Sequence, residues 1–248
     1  MNHRNKSPIL RIIGIIGALT FLIINWWPLF SGGEAEPSFQ STPSLTKEQA
    51  RQTALSYTAS LCRSCILESF VMYQSNQELS AYLQKNHLVE AYNNSFATEV
   101  PVDYFQVDLV DKTSEKHYFV DVHPNNMKVI GWQLPNSKLV HKQQGKEQGK
   151  VYHIDEQIQM AHATMKEMAY APDQFYLTED VPPQAKPEKD SSRLLVFTHK
   201  NKSIGEARLQ LHVSVSGGVI TAFHPILSNP KDHELWLQEQ DASAALMS

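Results

Sequence analysis

The chain has 248 residues, 42% of them apolar, and carries 22 Lys+Arg against 26 Asp+Glu for a net charge of -4. That length suits one large domain or two of roughly 100 residues each, and two is the expectation. The charge balance excludes any dominant attraction to nucleic acid or anionic lipid, and no basic stripe offsets it.

The first element decides the compartment. "ILRIIGIIGALTFLIINWWPLF", from Ile9, is close to the roughly 20 apolar residues needed to cross a bilayer core. Arg4, Lys6 and Arg11 lie before or just inside it, and Glu34 and Glu36 lie after it. The positive-inside bias therefore puts residues 1–8 in the cytoplasm, makes 9–30 a single membrane anchor and leaves the rest extracytoplasmic, at the cell membrane. Trp26 and Trp27 fit the aromatic belt at the outer interface. A cleavable signal peptide is the competing reading, with Gly33 and Ala35 at small-residue positions, although the apolar run exceeds the usual length of such a signal.

Residues 31–44, "SGGEAEPSFQSTPS", are too polar and too rich in Gly, Ser and Pro to bury surface and read as a tether. A first unit, 45–135, opens with a helix. Thr46 and Gln49 form a capping box, and Ala50, Ala54, Tyr57 and Leu61 recur at helical spacing. "ILESFVMY" from Ile66 reads as a strand, and "NQELSAYLQKNHLVEAY" returns to helical spacing through Leu79, Leu83 and Leu88. "DYFQVDLVD" and "HYFVDVH" alternate apolar and polar residues, and the turn Pro124-Asn125-Asn126 leads into "KVIGWQLP". A helix packed on this antiparallel meander makes an α+β layer.

The polar stretch 136–152 is a linker, and 153–230 repeats the plan. Ile154-Asp155 matches Leu45-Thr46 as a hydrophobic residue before an N-cap, and Ile158, Ala161, Met165 and Met168 form the helical stripe. "RLLVFTHK", "ARLQLHVSV" and "GVITAFHP" are three strands, with Leu209, Leu211, Val213 and Val215 facing a core. The tail, 231–248, turns apolar at its last residues, as the start of a further helix would. The hairpin from Tyr118 and that from Arg208 thus close two copies of one unit, of which the first has an extra strand and helix.

A helix, a loop and a meander with this V-x-V pattern resemble the PepSY-like domains of exported Gram-positive proteins. More narrowly, "FVMYQSNQELSAYLQKNHLVEAY", "VPVDYFQVDLVD" and "HYFVDVHPNNMKVIGWQLP" resemble the extracytoplasmic region that precedes the membrane core in CPBP-type (CAAX-type) intramembrane metalloproteases of bacilli. The resemblance implies an anchor followed by two PepSY-like domains in tandem. It also implies a regulatory or peptide-binding role, associated with or fused to a membrane protease. The family's core carries Glu-Glu-x-x-x-Arg and metal-positioning histidines on several membrane helices. This sequence has one span, no Glu-Glu pair and no His-Glu-x-x-His, so no catalytic residue carries over. The alternative is that the chain is the front part of such a protease, with its core beyond residue 248.

Few residues remain as candidates. Cys62 and Cys65 lie one helical turn apart, outside the membrane, and suit a local disulfide or two inert thiols. Redox catalysis would want the pair to open a helix, and zinc would want two more ligands. His123-Pro124 and His224-Pro225 recur at strand ends, and Asp121 shares a face with His123. A metal reading makes each a partial ligand set, whereas exposed histidines at strand rims is the plainer one. The sequence therefore implies no catalytic group, no cofactor, no nucleic-acid partner, and a protein or peptide partner.

Overall fold

The computed structural model describes residues 43–62, 65–135, 152–181, 193–216, 218–228 and 230. All of them belong to one compact unit, Phe39–Ser248. No helix among the described residues is long and apolar enough to cross a membrane, and the expected anchor at 9–30 lies outside them, as do the tail 231–248 and all but the last residues (43–44 and 152) of the linkers 31–44 and 136–152.

Helix α1 (Lys47–Leu61) starts where Thr46 accepts from the Gln49 backbone N–H and the Gln49 side chain accepts in return from the Thr46 N–H, the reciprocal box that satisfies two otherwise orphaned donors. Its buried stripe is Ala50, Ala54 and Thr58, with Tyr57 half-buried; Leu61, expected on that stripe, is exposed. Strand β1 (Leu67–Ser75) follows, then α2 (Gln77–Lys85) and α3 (Val89–Ser95). The single helix expected here is broken because His87 adopts a positive φ of 54°. Leu88 N–H then reaches back to Leu83 O and closes a Schellman turn.

Strands β2 (Asp103–Asp111), β3 (Lys116–Val122) and β4 (Val129–Gln133) complete the first half. In the second half α4 (Ile154–Glu167) begins at His153, not Asp155, because the Glu156 carboxylate accepts from the His153 N–H. It ends in the same turn as α2, with Ala169 at φ 66° and Tyr170 N–H bonded to Met165 O. Strand β5 (Phe175–Val181) is an element the alternation did not reveal; β6 (Arg193–Ile204), β7 (Ala207–Ser216) and β8 (Val219–Leu227) follow. Each half thus has a leading helix and four strands paired in chain order, the first half adding α2 and α3 between β1 and β2, and the extra strand assigned to the first half has its counterpart in β5.

The strands form one antiparallel sheet in the order β1-β2-β3-β4-β8-β7-β6-β5. The two expected units, 45–135 and 153–230, contribute their strands to this one sheet. The final strands of the two units pair with each other, Trp132 with Phe223 and Gln133 with Ala222, and Leu134 N–H extends the ladder to Thr221 O. Pairing removes two free edges and lets both meanders share one core. On the helix side Val107, Leu109, Val120, Leu211, Val213 and Phe223 are among the most deeply buried residues.

Side chains also bridge the halves away from that seam. The Tyr82 hydroxyl donates to Ile204 O and accepts from the Glu206 N–H at the β6–β7 turn, 122 and 124 residues away in sequence. Lys202 pairs with Glu99 and lies over the Phe96 ring, and Lys128 lies over Tyr170. Tyr82→Phe removes the hydroxyl and strips partners from buried backbone groups, so a loss of about 1–3 kcal/mol is expected in urea unfolding.

Candidate functional site

Alternation along the strands gives the sheet a second face, opposite the buried one. Two sets of cross-strand partners meet there. Met72, Gln106, Asp121 and Gly131 succeed one another from β1 to β4, and His224, His212, Val196 and Glu179 from β8 to β5. They join at Gly131. A Cβ at that position would stand 2.8 Å from His224 Nδ1 and 3.2 Å from Asp121 Oδ2. The missing side chain is what lets Asp121 and His224 reach across β4 and pair at 3.4 Å. Gln106 donates to the other Asp121 oxygen at 3.4 Å. A second pair, His117 with Asp108 at 3.0 Å, lies nearer β1.

The candidate residues therefore regroup. Asp121 meets His224, which lies within β8 and not at a hairpin rim as expected. His123 is buried and not exposed: it follows the last residue of β3, and its ring packs between the Ala97 carbonyl and the β3–β4 turn. There its Nδ1 accepts from the Asn125 N–H at 3.1 Å and its Nε2–H donates to Ala97 O at 3.0 Å. With both nitrogens engaged by backbone groups, His123 has no lone pair to offer a ligand. Cys62 and Cys65 are joined as a disulfide, with Cα atoms 5.6 Å apart, at the C-cap of α1. The Cys65 sulfur lies 3.7 Å from the Tyr118 hydroxyl.

Among the described residues, no three His, Cys, Asp or Glu side chains are placed to hold a metal ion. The cleft beside His123, about 210 Å³ and lined by Tyr92, Ala97, Pro101 and Asn125, is smaller than the roughly 300–1,000 Å³ of a typical ligand pocket. The second face presents the imidazole rings of His224 and His212. Neither ring is hydrogen-bonded by a hydroxyl or thiol among the described residues that could serve as nucleophile.

Burial lowers the pKa of His123, His162, His199 and His212 below the ordinary 6.5. For His212 the neighbouring His224 adds to the shift and Glu179 opposes it; for His199, Lys202 adds and Glu99 opposes. Between the unfolded and folded values the unfolded chain binds more protons, so stability is full above 6.5 and is lost as pH falls through the folded values. The expected result is a lower urea midpoint at pH 5.5 than at pH 7.5. His123→Gln should flatten that dependence.

The two sheet edges are unlike. β5 carries Thr178, Glu179 and Asp180, shifts register between Leu177 and Glu179, and has Arg193 pairing Asp180. Charge and irregularity of this kind blunt an edge. β1 pairs with β2 through nine residues without a shift, has one charged residue, Glu68, and has no proline. Phe70 and Met72 stand on its second face, 54% and 42% exposed, with Ile66 at 60% just before it. Among the described residues nothing pairs with its outer side. Sequence reasoning saw the strand but not its place at the edge; the absence of Lys and Pro between Ile66 and Ser75 was the available signal.

No family model matches the chain, nor does any curated protein sequence. Among solved structures, the Bacillus megaterium YpeB C-terminal domain is similar at 8% identity and a TM-score of 0.43, over 74% of this chain and 64% of that one. The chain spans less than two thirds of that structure's length.

Proposed function

We propose that the chain is a non-catalytic, membrane-anchored extracytoplasmic module of tandem PepSY-like architecture that acts by accepting an extended protein segment on β1. The observation that carries this reading is the unprotected edge: a regular nine-residue strand with Phe70 and Met72 exposed, on a sheet whose other edge is blunted. An added strand takes its affinity from main-chain hydrogen bonds and its selectivity from alternate side chains. Phe70 and Met72 are the alternate contacts on the second face. A membrane protease or its substrate is the proposed client, on the resemblance carried by residues 70–135. The anchor is the apolar segment 9–30.

A synthetic nonapeptide copying residues 67–75 tests the edge directly on the full chain in detergent micelles. In excess it should slow hydrogen exchange at the alternate β1 amides that point away from β2, and leave β5 amides unchanged. Phe70→Lys with Met72→Lys should remove that effect. Slowing at β5 alone, or nowhere, refutes the reading.

A further inference from the structure

We infer that β1 pairs with β1 of a second copy, antiparallel about a two-fold axis through Val71, so that two chains share one continuous sheet. The inference rests on the edge-addition reading and assigns the resting edge to a second copy, which a client segment would displace. An antiparallel pairing of a strand with its own copy keeps matching faces together only if partner numbers sum to an even value. Of those registers, the one centred on Val71 pairs all nine residues of Leu67–Ser75. It sets Phe70 against Met72 twice, joining the four exposed apolar side chains of the second face into one cluster. Ser69 then meets Tyr73, and Leu67 meets Ser75. The strand's one charge, Glu68, falls opposite Gln74, so no like charges face each other.

The fold already contains this kind of joint. β4 and β8, the final strands of the two units, meet edge to edge and antiparallel, with Trp132 against Phe223. The same operation at β1 would continue the sheet and keep the helices of both copies on one side. β5 is unsuited to it, because of its register shift and its two acids. A strand-to-strand contact is small beside the roughly 1,000 Å² expected of a stable interface. Confinement of both copies to one membrane raises their effective concentration and offsets that deficit.

The test is disulfide trapping of the full chain in membranes. Phe70→Cys and Met72→Cys variants are co-expressed, oxidised with copper phenanthroline and run on a non-reducing gel. The mixed pair should give a species of twice the 28.1 kDa chain mass. Phe70→Cys alone should give several-fold less, since in this register like positions lie diagonally, beyond disulfide reach. A Glu68→Cys and Gln74→Cys pair should also link, and placing Phe70→Lys and Met72→Lys in both chains should lower that yield by about tenfold, because lysines then face lysines. The nonapeptide, in excess, should compete the link away. No linked species from the mixed pair, with thermal unfolding unchanged from the parent, overturns the inference; so does equal yield from Phe70→Cys alone or from Tyr176→Cys on β5. If the nonapeptide still protects β1 amides in that case, edge addition stands and self-pairing falls. If it does not, both fall.

Discussion

Replacing Phe223 by alanine is expected to lower the unfolding free energy by about 3–5 kcal/mol. Phe223 has no accessible surface, pairs across β7–β8 with Val213, and has the Tyr170 ring 5.8 Å away. It also sits opposite Trp132 in the short ladder between β4 and β8. A cavity here cannot be filled by one strand sagging, because strands are held on both sides. Urea unfolding of the variant should show the loss in the midpoint. Phe70→Ala, on the exposed edge, should change stability by no more than about 0.5 kcal/mol and so controls for the size of the deletion.

Gly131→Ala is expected to destabilise by about 1–2 kcal/mol, although alanine suits a strand interior better than glycine by about 0.5–1 kcal/mol. The added carbon would stand 2.8 Å from His224 Nδ1, 3.1 Å from Phe223 O and 3.2 Å from Asp121 Oδ2. The imidazole can swing aside, at the expense of its contact with Asp121, but the carbonyl cannot move without displacing β8. A double-mutant cycle separates these effects. His224→Ala should recover part of the loss and Asp121→Ala less, leaving a remainder that belongs to the backbone contact. A Gly131→Ala variant as stable as the parent would show that β4 and β8 yield more easily than their pairing suggests.

Period-two alternation made β2, β3 and β7 legible, because each has one face buried and one not. Leu209, Leu211, Val213 and Val215 are all buried as expected. β5 was hidden because its polar residues Thr178, Glu179 and Asp180 run together, as edge strands tolerate and inner strands do not. The fused sheet was not legible either. An edge that pairs with its own unit's copy and an edge left open have the same local pattern, so nothing around Trp132 announced its partner 91 positions on at Phe223. The pairing of Asp121 with His224 depends on a gap and not on a side chain. A glycine inside an apolar strand, as in "VIGWQ", was the clue to a close approach there. His123 was misplaced because its burial comes from a carbonyl 26 residues away, that of Ala97, and alternation within one strand carries no trace of such a partner.

The strand order carries a kinetic consequence. Six of the seven neighbour pairs in the sheet join strands consecutive along the chain, and only β4 with β8 joins strands far apart. Loop-closure entropy is therefore lost in small local steps, apart from one large one. Topologies dominated by nearby pairings fold faster than those dominated by distant ones. The slow event in refolding is then the meeting of two preassembled meanders, and substitutions at that meeting point should alter the refolding rate more than equal losses of stability elsewhere.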